Sequence, residues 1–120
     1  MTALAHVEAP ADLVADSTGT TLWVASIADG VGVFRVDVAS GRVEPFADPE
    51  RPHGIDRAPD GHFYVQNGHA VSRMDGHTGA VTPFANVDAF KLHIASDGSV
   101  YGVEGNPSGG RVVRIAPNGT

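Results

Sequence analysis

Residues 52–67, PHGIDRAPDGHFYVQN, recur with changes at 10–26, PADLVADSTGTTLWVAS, and at 89–104, AFKLHIASDGSVYGVE. The three copies align on Gly19, Gly61 and Gly98, and a short run rich in β-formers follows each glycine. Glycine supplies the positive φ that many tight turns need, and nearby Asp or Ser side chains can bond the turn backbone. The pattern therefore predicts two short strands joined by a turn in every copy.

A second half of the repeat follows each copy, as VFRVDVASG (33–41), VSRMDGHTG (71–79) and VVRIAPNG (112–119). The alternation of apolar and polar residues in these segments is typical of strands. A fourth strand is predicted within 42–50 and 80–88, RVEPFADPE and AVTPFANVD. Four strands in a unit of roughly 40 residues describe one blade of a β-propeller. A right-handed solenoid is the competing repeat architecture, although its repeats are usually shorter.

The fold class predicted is thus all-β, a β-propeller with three four-stranded blades, which is half of a six-bladed ring. Residues 1–120 are expected to form a single half-propeller domain, with repeats at about 10–51, 52–88 and 89–120 and with residues 1–9 in closure. The third repeat stops at RIAPNGT, where its outer strand would start, and about residues 3–8 have the pattern of that strand. Propellers have 4 to 8 blades. We therefore expect a homodimer in which each N-terminal strand completes the third blade of its partner; the alternative is an excised half of a longer propeller.

Composition excludes several classes of function. The formal net charge of −6, without a basic cluster, does not suit nucleic acid. No apolar run approaches the length of a membrane span, and the N-terminus lacks the pattern of a signal peptide. The chain has no cysteine, so any metal would need His, carboxylate or carbonyl ligands. A cytoplasmic location is expected, with neither nucleic acid nor membrane as a partner.

The sequence at 52–84, with PHGI, PDG, YV, RMD and TGAVTPF, resembles blades of the streptogramin B lyase family. NHL-repeat and gluconolactonase-like six-bladed propellers share the same pattern. The resemblance covers the chain as repeats. It implies a site at the channel mouth where a histidine acts as base and acidic residues hold Mg²⁺, or, in gluconolactonase-like relatives, a divalent metal bound by carboxylates and amides.

The loops expected at one face of such a propeller carry the candidate site. His53 occupies the histidine position of the lyase-like motif and is the candidate base; the candidate metal ligands are Glu104, Asn67, Asn106 and His69. Carboxylate and amide oxygens favour Mg²⁺ or Ca²⁺ ahead of Zn²⁺. The same side chains are also ordinary turn residues, and Asn67-Gly68 is a strong hairpin signal. His93, within an inner strand, is interpreted as a hydrogen-bonded residue between blades.

Two functions remain open on this reasoning. The first is a β-propeller scaffold that assembles into a six-bladed ring and binds a ligand or partner at its channel mouth. The second is a metal-dependent lyase or lactonase acting on a cyclic ester, with Glu104 and Asn67 as ligands and His53 as base. A fold hosts many functions, so the pattern alone does not separate them.

Overall fold

The structure is a computed structural model that describes residues 1–28, 30–67, 69–106 and 109–116, without side-chain detail at positions 90, 105 and 106. Within these ranges all regular secondary structure is β. The strands are β1 (Pro10–Ala15), β2 (Thr21–Ser26), β3 (Val33–Asp37), β4 (Val43–Ala47), β5 (Gly54–Arg57), β6 (Phe63–Gln66), β7 (Val71–Met74), β8 (Val81–Ala85), β9 (Ala89–Ile94), β10 (Val100–Asn106) and β11 (Gly109–Ile115).

The strands form three antiparallel sheets in chain order, β1-β2-β3-β4, β5-β6-β7-β8 and β9-β10-β11, which we call blades 1, 2 and 3. The predicted all-β architecture and its strand assignments in the first two repeats are confirmed. In the described part of the chain, blade 3 has three strands and no strand precedes Pro10. The predicted pairing of residues 3–8 concerns a partner chain and stays a prediction.

The turns form where the repeat predicts them. In the β7–β8 turn, the Asp75 carboxylate accepts hydrogen bonds from the backbone N–H groups of His77 and Thr78, both at 2.8 Å. Gly79 closes this turn with a φ of +75°, a conformation that costs a residue with a Cβ. Side-chain and glycine chemistry therefore fix the hairpin locally, before any contact between blades.

The hydrophobic core lies between blades. Between blades 1 and 2, the Trp23 and Phe63 rings pack with centroids 4.7 Å apart, and Phe46 meets Phe63 edge-on at 6.3 Å. On the face of blade 2 toward blade 3, Tyr64 packs against Phe84 of the same blade at 4.8 Å, and Tyr64 joins a cluster with Ile94 and Val100 of blade 3. Aromatic pairs in these geometries add to the free energy gained from area burial. Each blade consequently has two apolar faces, one toward each neighbour.

Candidate functional site

The inner strands β1, β5 and β9 adjoin one another through carboxylates. Asp12 on β1 accepts a hydrogen bond at Oδ2 from the backbone N–H of Ile55 on β5, at 3.1 Å. Asp56 on β5 accepts one in the same way from the N–H of Ile94 on β9, at 2.7 Å. Since neighbouring inner strands are not paired as a sheet, these bonds satisfy backbone donors at the blade junctions.

Two cationic or titratable side chains of blade 3 face these carboxylates. Lys91 Nζ lies 3.9 Å from Asp12 Oδ1, although Lys91 and Asp12 belong to the third and first blades. His93 Nδ1 lies 3.8 Å from Asp56 Oδ2. Inner-strand side chains of all three blades therefore converge on one wall, which we call the channel wall (Asp12, Asp56, Lys91 and His93).

The channel wall presents its charges unequally to solvent. The Lys91 and His93 side chains are 65% and 77% exposed, whereas those of Asp12 and Asp56 are 23% and 25% exposed. Both carboxylates already accept backbone hydrogen bonds, so they act as fixed anions of the scaffold. Because they are exposed, the Lys91 ammonium and the His93 imidazole are accessible to a bound molecule. Exposed ion pairs contribute little free energy, so a ligand that displaced them would lose little.

Sequence reasoning did not select Asp12 or Asp56. The available signal is a carboxylate within an inner strand, beside the apolar residues Leu13 in ADLVA and Ile55 in GIDRA. For His93, the expected inter-blade contact is present, but its 3.8 Å distance to Asp56 exceeds a hydrogen bond. Asp56 itself makes the inter-blade hydrogen bond, through its other contact to Ile94.

His53 and Asn67, the candidate base and one candidate ligand, lie at the same end of blade 2. The His53 backbone N–H donates to the Gln66 carbonyl at 2.7 Å, which brings the start of β5 beside the end of β6. The His53 side chain is exposed. Asn67 follows directly after β6, so the predicted placement of these two residues at one end is observed.

Asn67 and His69 form a compact hairpin turn. The Asn67 Oδ1 accepts hydrogen bonds from the backbone N–H groups of His69 and Ala70, both at 3.0 Å. This is the turn role that asparagine commonly has. The His69 side chain is 89% exposed, with Nδ1 3.8 Å from Asp88 Oδ1. These hydrogen bonds fix the position of the Asn67 side-chain oxygen, Oδ1, whereas the His69 ring lies in solvent.

Glu104, the candidate carboxylate ligand, has a cationic partner. Its Oε2 accepts a hydrogen bond from Arg111 Nε at 2.7 Å and lies 2.6 Å from Arg111 Nη2. β10 and β11 pair Glu104 directly opposite Arg111, so the hairpin register produces this contact.

Asn106 ends β10 opposite Gly109, and its side chain lies outside the described residues. Over the described ranges, no group of three or more His, Asp or Glu is arranged to hold a metal ion. The ligand roles therefore stay predictions.

The carboxyl groups with shifted pKa lie at hairpin turns and are not among the candidate ligands. The pKa of Asp75 is lowered chiefly by the hydrogen bonds from the Thr78 and His77 N–H groups. The pKa of Asp60 is lowered first by the N–H of His62, with the charge of Arg73 contributing. These shifts follow from turn geometry, because hydrogen bonds to the ionised form favour it.

Comparison with known proteins relates the chain to solved structures only. No family model matches the sequence, and no curated protein matches it. A Xanthomonas campestris gluconolactonase is similar over 92% of this chain and 44% of its own, with 19% identity and a TM-score of 0.76. An Agrobacterium tumefaciens calcium-binding regucalcin is similar over 91% of this chain and 40% of its own, with 16% identity and a TM-score of 0.69.

These likenesses decide the architecture. The fold is a β-propeller. Hydrazine synthase of Kuenenia stuttgartiensis is also similar, over 88% of this chain and 33% of its own, with 18% identity and a TM-score of 0.75. The chain thus spans less than half of the propeller proteins that it matches. In the ranges the structure describes, no helix could cross a membrane.

Proposed function

We propose that this chain is a propeller scaffold that joins a second copy to form a six-bladed ring and binds a ligand or partner at the channel mouth. One observation carries the assembly. The outer faces of blades 1 and 3 expose apolar side chains, Leu13 and Tyr101 among them, whose equivalents are buried in the blade 1–blade 2 and blade 2–blade 3 junctions.

The register of the hairpins identifies equivalent residues on the faces toward the next blade. Opposite the recurring arginines Arg35, Arg73 and Arg114 stand Trp23, Tyr64 and Tyr101. Trp23 and Tyr64 are buried against the following blade, whereas Tyr101 is 37% exposed. With Val103 and Val112, Tyr101 lines an open apolar groove of about 390 Å³ on blade 3.

The face of blade 1 that points away from blade 2 also has no blade packed against it in the described chain. Its apolar residues line an open groove of about 460 Å³ together with the N-terminal segment: Leu13, Leu22, Val24 and Val36. The equivalent side chains of blade 2 are all buried against blade 1: Ile55, Phe63, Val65 and Met74. Leu13 is 58% exposed, although its counterpart Ile55 is buried. Blade 3 of a second copy is the surface that fits here.

A two-fold ring would create two such junctions and would duplicate the channel wall. Lys91 and His93 are accessible within one chain. Two copies of each, facing one axis, would supply hydrogen-bond donors to a small polar ligand or to a loop of a partner protein. The similar gluconolactonase, of which this chain spans 44%, supports a full ring of about two such units.

Sedimentation velocity and light scattering test the assembly. We expect a species of twice the 12.4 kDa chain mass. Tyr101→Glu should dissociate it, because a carboxylate would be buried at each junction. His77→Glu, which adds the same charge at an exposed turn residue, is the matched control. A cooperatively folded wild-type monomer at high micromolar concentration would refute the ring.

Binding at the channel mouth is tested on the assembled protein. A thermal-shift screen of small organic acids and lactones should find a stabilising compound. Lys91→Met should abolish that shift. Because Lys91 also lines the groove on blade 3, sedimentation of the variant must show the same assembled species as the wild type. Stabilisation that persists in Lys91→Met would place the ligand elsewhere.

A metal-dependent lyase or lactonase is the second candidate, favoured by the likeness to a gluconolactonase and to a calcium-binding regucalcin. Its ligands would be Glu104, Asn67, Asn106 and His69, with His53 as base. Because Arg111 contacts the Glu104 carboxylate, a cation would compete with this guanidinium. Arg111→Met should therefore increase stabilisation by Ca²⁺ or Mg²⁺, and Glu104→Gln should remove it. No shift with Ca²⁺, Mg²⁺ or Zn²⁺ in Arg111→Met would exclude the metal site.

A further inference from the structure

The N-terminal segment lies on blade 1 in the place that an outer strand of a preceding blade would take. A Cβ built on Gly41 would stand 2.6 Å from the carbonyl oxygen of Leu4. In blade 2, a Cβ on the equivalent Gly79 would meet the carbonyl oxygen of Phe46, which belongs to β4, the outer strand of blade 1. Leu4 therefore relates to blade 1 as Phe46 relates to blade 2.

A second feature gives the same alignment. Ala9 and Arg51 have φ values of 44° and 43°, and they are the non-glycine residues with positive φ in the described structure. Each precedes a proline: Pro10 begins β1, and Pro52 lies two residues before β5. The spacing from Leu4 to Ala9 equals that from Phe46 to Arg51. Residues 4–10 thus follow the backbone path of residues 46–52.

The segment is fastened to its own blade 1. The Ser26 hydroxyl donates to the Glu8 carbonyl at 2.6 Å, and the Ile27 N–H donates to the Ala9 carbonyl at 3.1 Å. Its outer part, from residue 2 to residue 5, has no strand partner among the described residues. Within the described ranges, β11 of blade 3 pairs with β10 on one side only, which leaves its other edge for an added strand.

We propose that residues 2–5 of one copy add as the fourth strand to β11 of a second copy, in a defined register. This inference rests on the proposed ring and names the element that joins it. In blades 1 and 2, the outer strands pair Phe34 with Pro45 and Ser72 with Pro83. The equivalent pair joins Val113 to Ala3 of the partner copy.

The neighbouring pair follows from the β3–β4 and β7–β8 registers. Val33 opposes Ala47 and Val71 opposes Ala85, so Val112 opposes Ala5. The bulge between the first two pairs occurs in both observed blades. Adding a strand to an exposed edge supplies main-chain hydrogen bonds, and the alternate side chains supply specificity. Ala5, the partner of Val112, shares the alanine found at both equivalent positions.

The prolines identify the geometry of the central pair. Pro45 and Pro83 have no N–H to donate, so they suit non-hydrogen-bonded positions of an edge strand. Ala3 and Val113 should then be a non-hydrogen-bonded pair, with Cα atoms about 4.5 Å apart. This separation lies within the range of about 4.4–6.8 Å that disulfides span. The chain has no cysteine of its own, so introduced thiols report this pair alone.

The experiment mixes two single-cysteine chains, Ala3→Cys and Val113→Cys, under mild oxidation. We expect a covalent heterodimer as the main product on a non-reducing gel. The matched control mixes Ala3→Cys with Val112→Cys. Adjacent strand residues point to opposite faces, so this mixture should cross-link at least about tenfold more slowly. Using separate chains excludes an intrachain bond.

The outcomes separate this inference from the proposed ring. A dimer in solution without the Ala3–Val113 cross-link would overturn strand exchange and leave ring assembly standing. Equal cross-linking of the Val112 and Val113 mixtures would overturn the register. Monomeric wild-type protein with no cross-link would overturn both proposals.

A pair of glycine variants provides a second test without cysteines. Gly41 and Gly19 have φ values of +74° and +73°, so alanine is strained equally at both positions. Only at Gly41 would the new methyl group meet the Leu4 carbonyl; at Gly19 it would meet nothing within 4 Å. We expect Gly41→Ala to raise the dimer dissociation constant at least about tenfold over Gly19→Ala. Equal dissociation constants in two folded variants would overturn the placement of the segment.

Discussion

Replacing Asp56 by alanine should destabilise the protein at the junction of blades 2 and 3. Asp56 Oδ2 accepts the Ile94 N–H at 2.7 Å, and Ile94 is 7% exposed. Hydrogen bonds to charged groups contribute about 1.5–3 kcal/mol, and a buried donor left unpaired costs about 1–3 kcal/mol. Both figures describe the loss of the same hydrogen bond and are not added. We therefore expect Asp56→Ala to lower the free energy of unfolding by about 2–3 kcal/mol.

Two variants divide this loss into its parts. Asp56→Asn keeps an oxygen acceptor for the Ile94 N–H and removes the charge, so it should cost only about 1 kcal/mol. His93→Ala removes a mostly exposed imidazole 3.8 Å from the same carboxylate and should change stability by less than about 0.5 kcal/mol. The expected order of destabilisation is therefore Ala, then Asn, then the His93 variant.

Urea denaturation followed by circular dichroism measures these differences, at one fixed protein concentration because assembly adds to apparent stability. For a chain of this size, about 2–3 kcal/mol corresponds to a fall in Tm of roughly 10 °C. An Asp56→Ala variant within about 0.5 kcal/mol of wild type would refute the idea that the carboxylate joins the blades. Asp12→Ala, which frees the Ile55 N–H at the other junction, should behave alike.

Two further perturbations test the core and the turns. Phe63→Ala should cost about 3–5 kcal/mol in urea denaturation, since Phe63 is 1% exposed and packs on Trp23; a loss below about 1.5 kcal/mol would contradict the inter-blade core. The pKa of Asp75 is lowered in the folded state, so its contribution is present above its unfolded pKa of about 3.9 and is lost as pH falls through the lower folded value. Asp75→Asn should therefore flatten the decline of unfolding free energy below about pH 4; an unchanged slope would show that its turn hydrogen bonds persist in the unfolded chain.

Much of the fold could be predicted because its signals are local. Turn glycines and alternating residues specify hairpins from their own neighbours, and these signals place β1 to β8. The recurrence of the pattern indicates the propeller, since repeats stack on equivalent faces. The face on which Trp23, Tyr64 and Tyr101 lie also follows from the repeat, once the recurring arginines are aligned.

The candidate site was predictable only in part. His53 and Asn67 lie at one end of blade 2, as strand order implies. The partner of Glu104 was not foreseen, because Arg111 faces it only through the register of the β10–β11 hairpin. Residue type alone indicates a possible ligand, whereas the pairing determines whether a carboxylate already has a cation.

By itself, the sequence determined the strands and turns of the first two repeats, since each depends on residues close together in the chain. Only the tertiary structure decided the contacts between blades. Asp12 meets Ile55 and Lys91, and Asp56 meets Ile94 and His93, across long stretches of chain whose approach depends on how the blades stack. The path of residues 4–10 along blade 1 is of the same kind. The Leu4 carbonyl lies beside Gly41, a residue distant in the chain, so no local pattern indicates the contact.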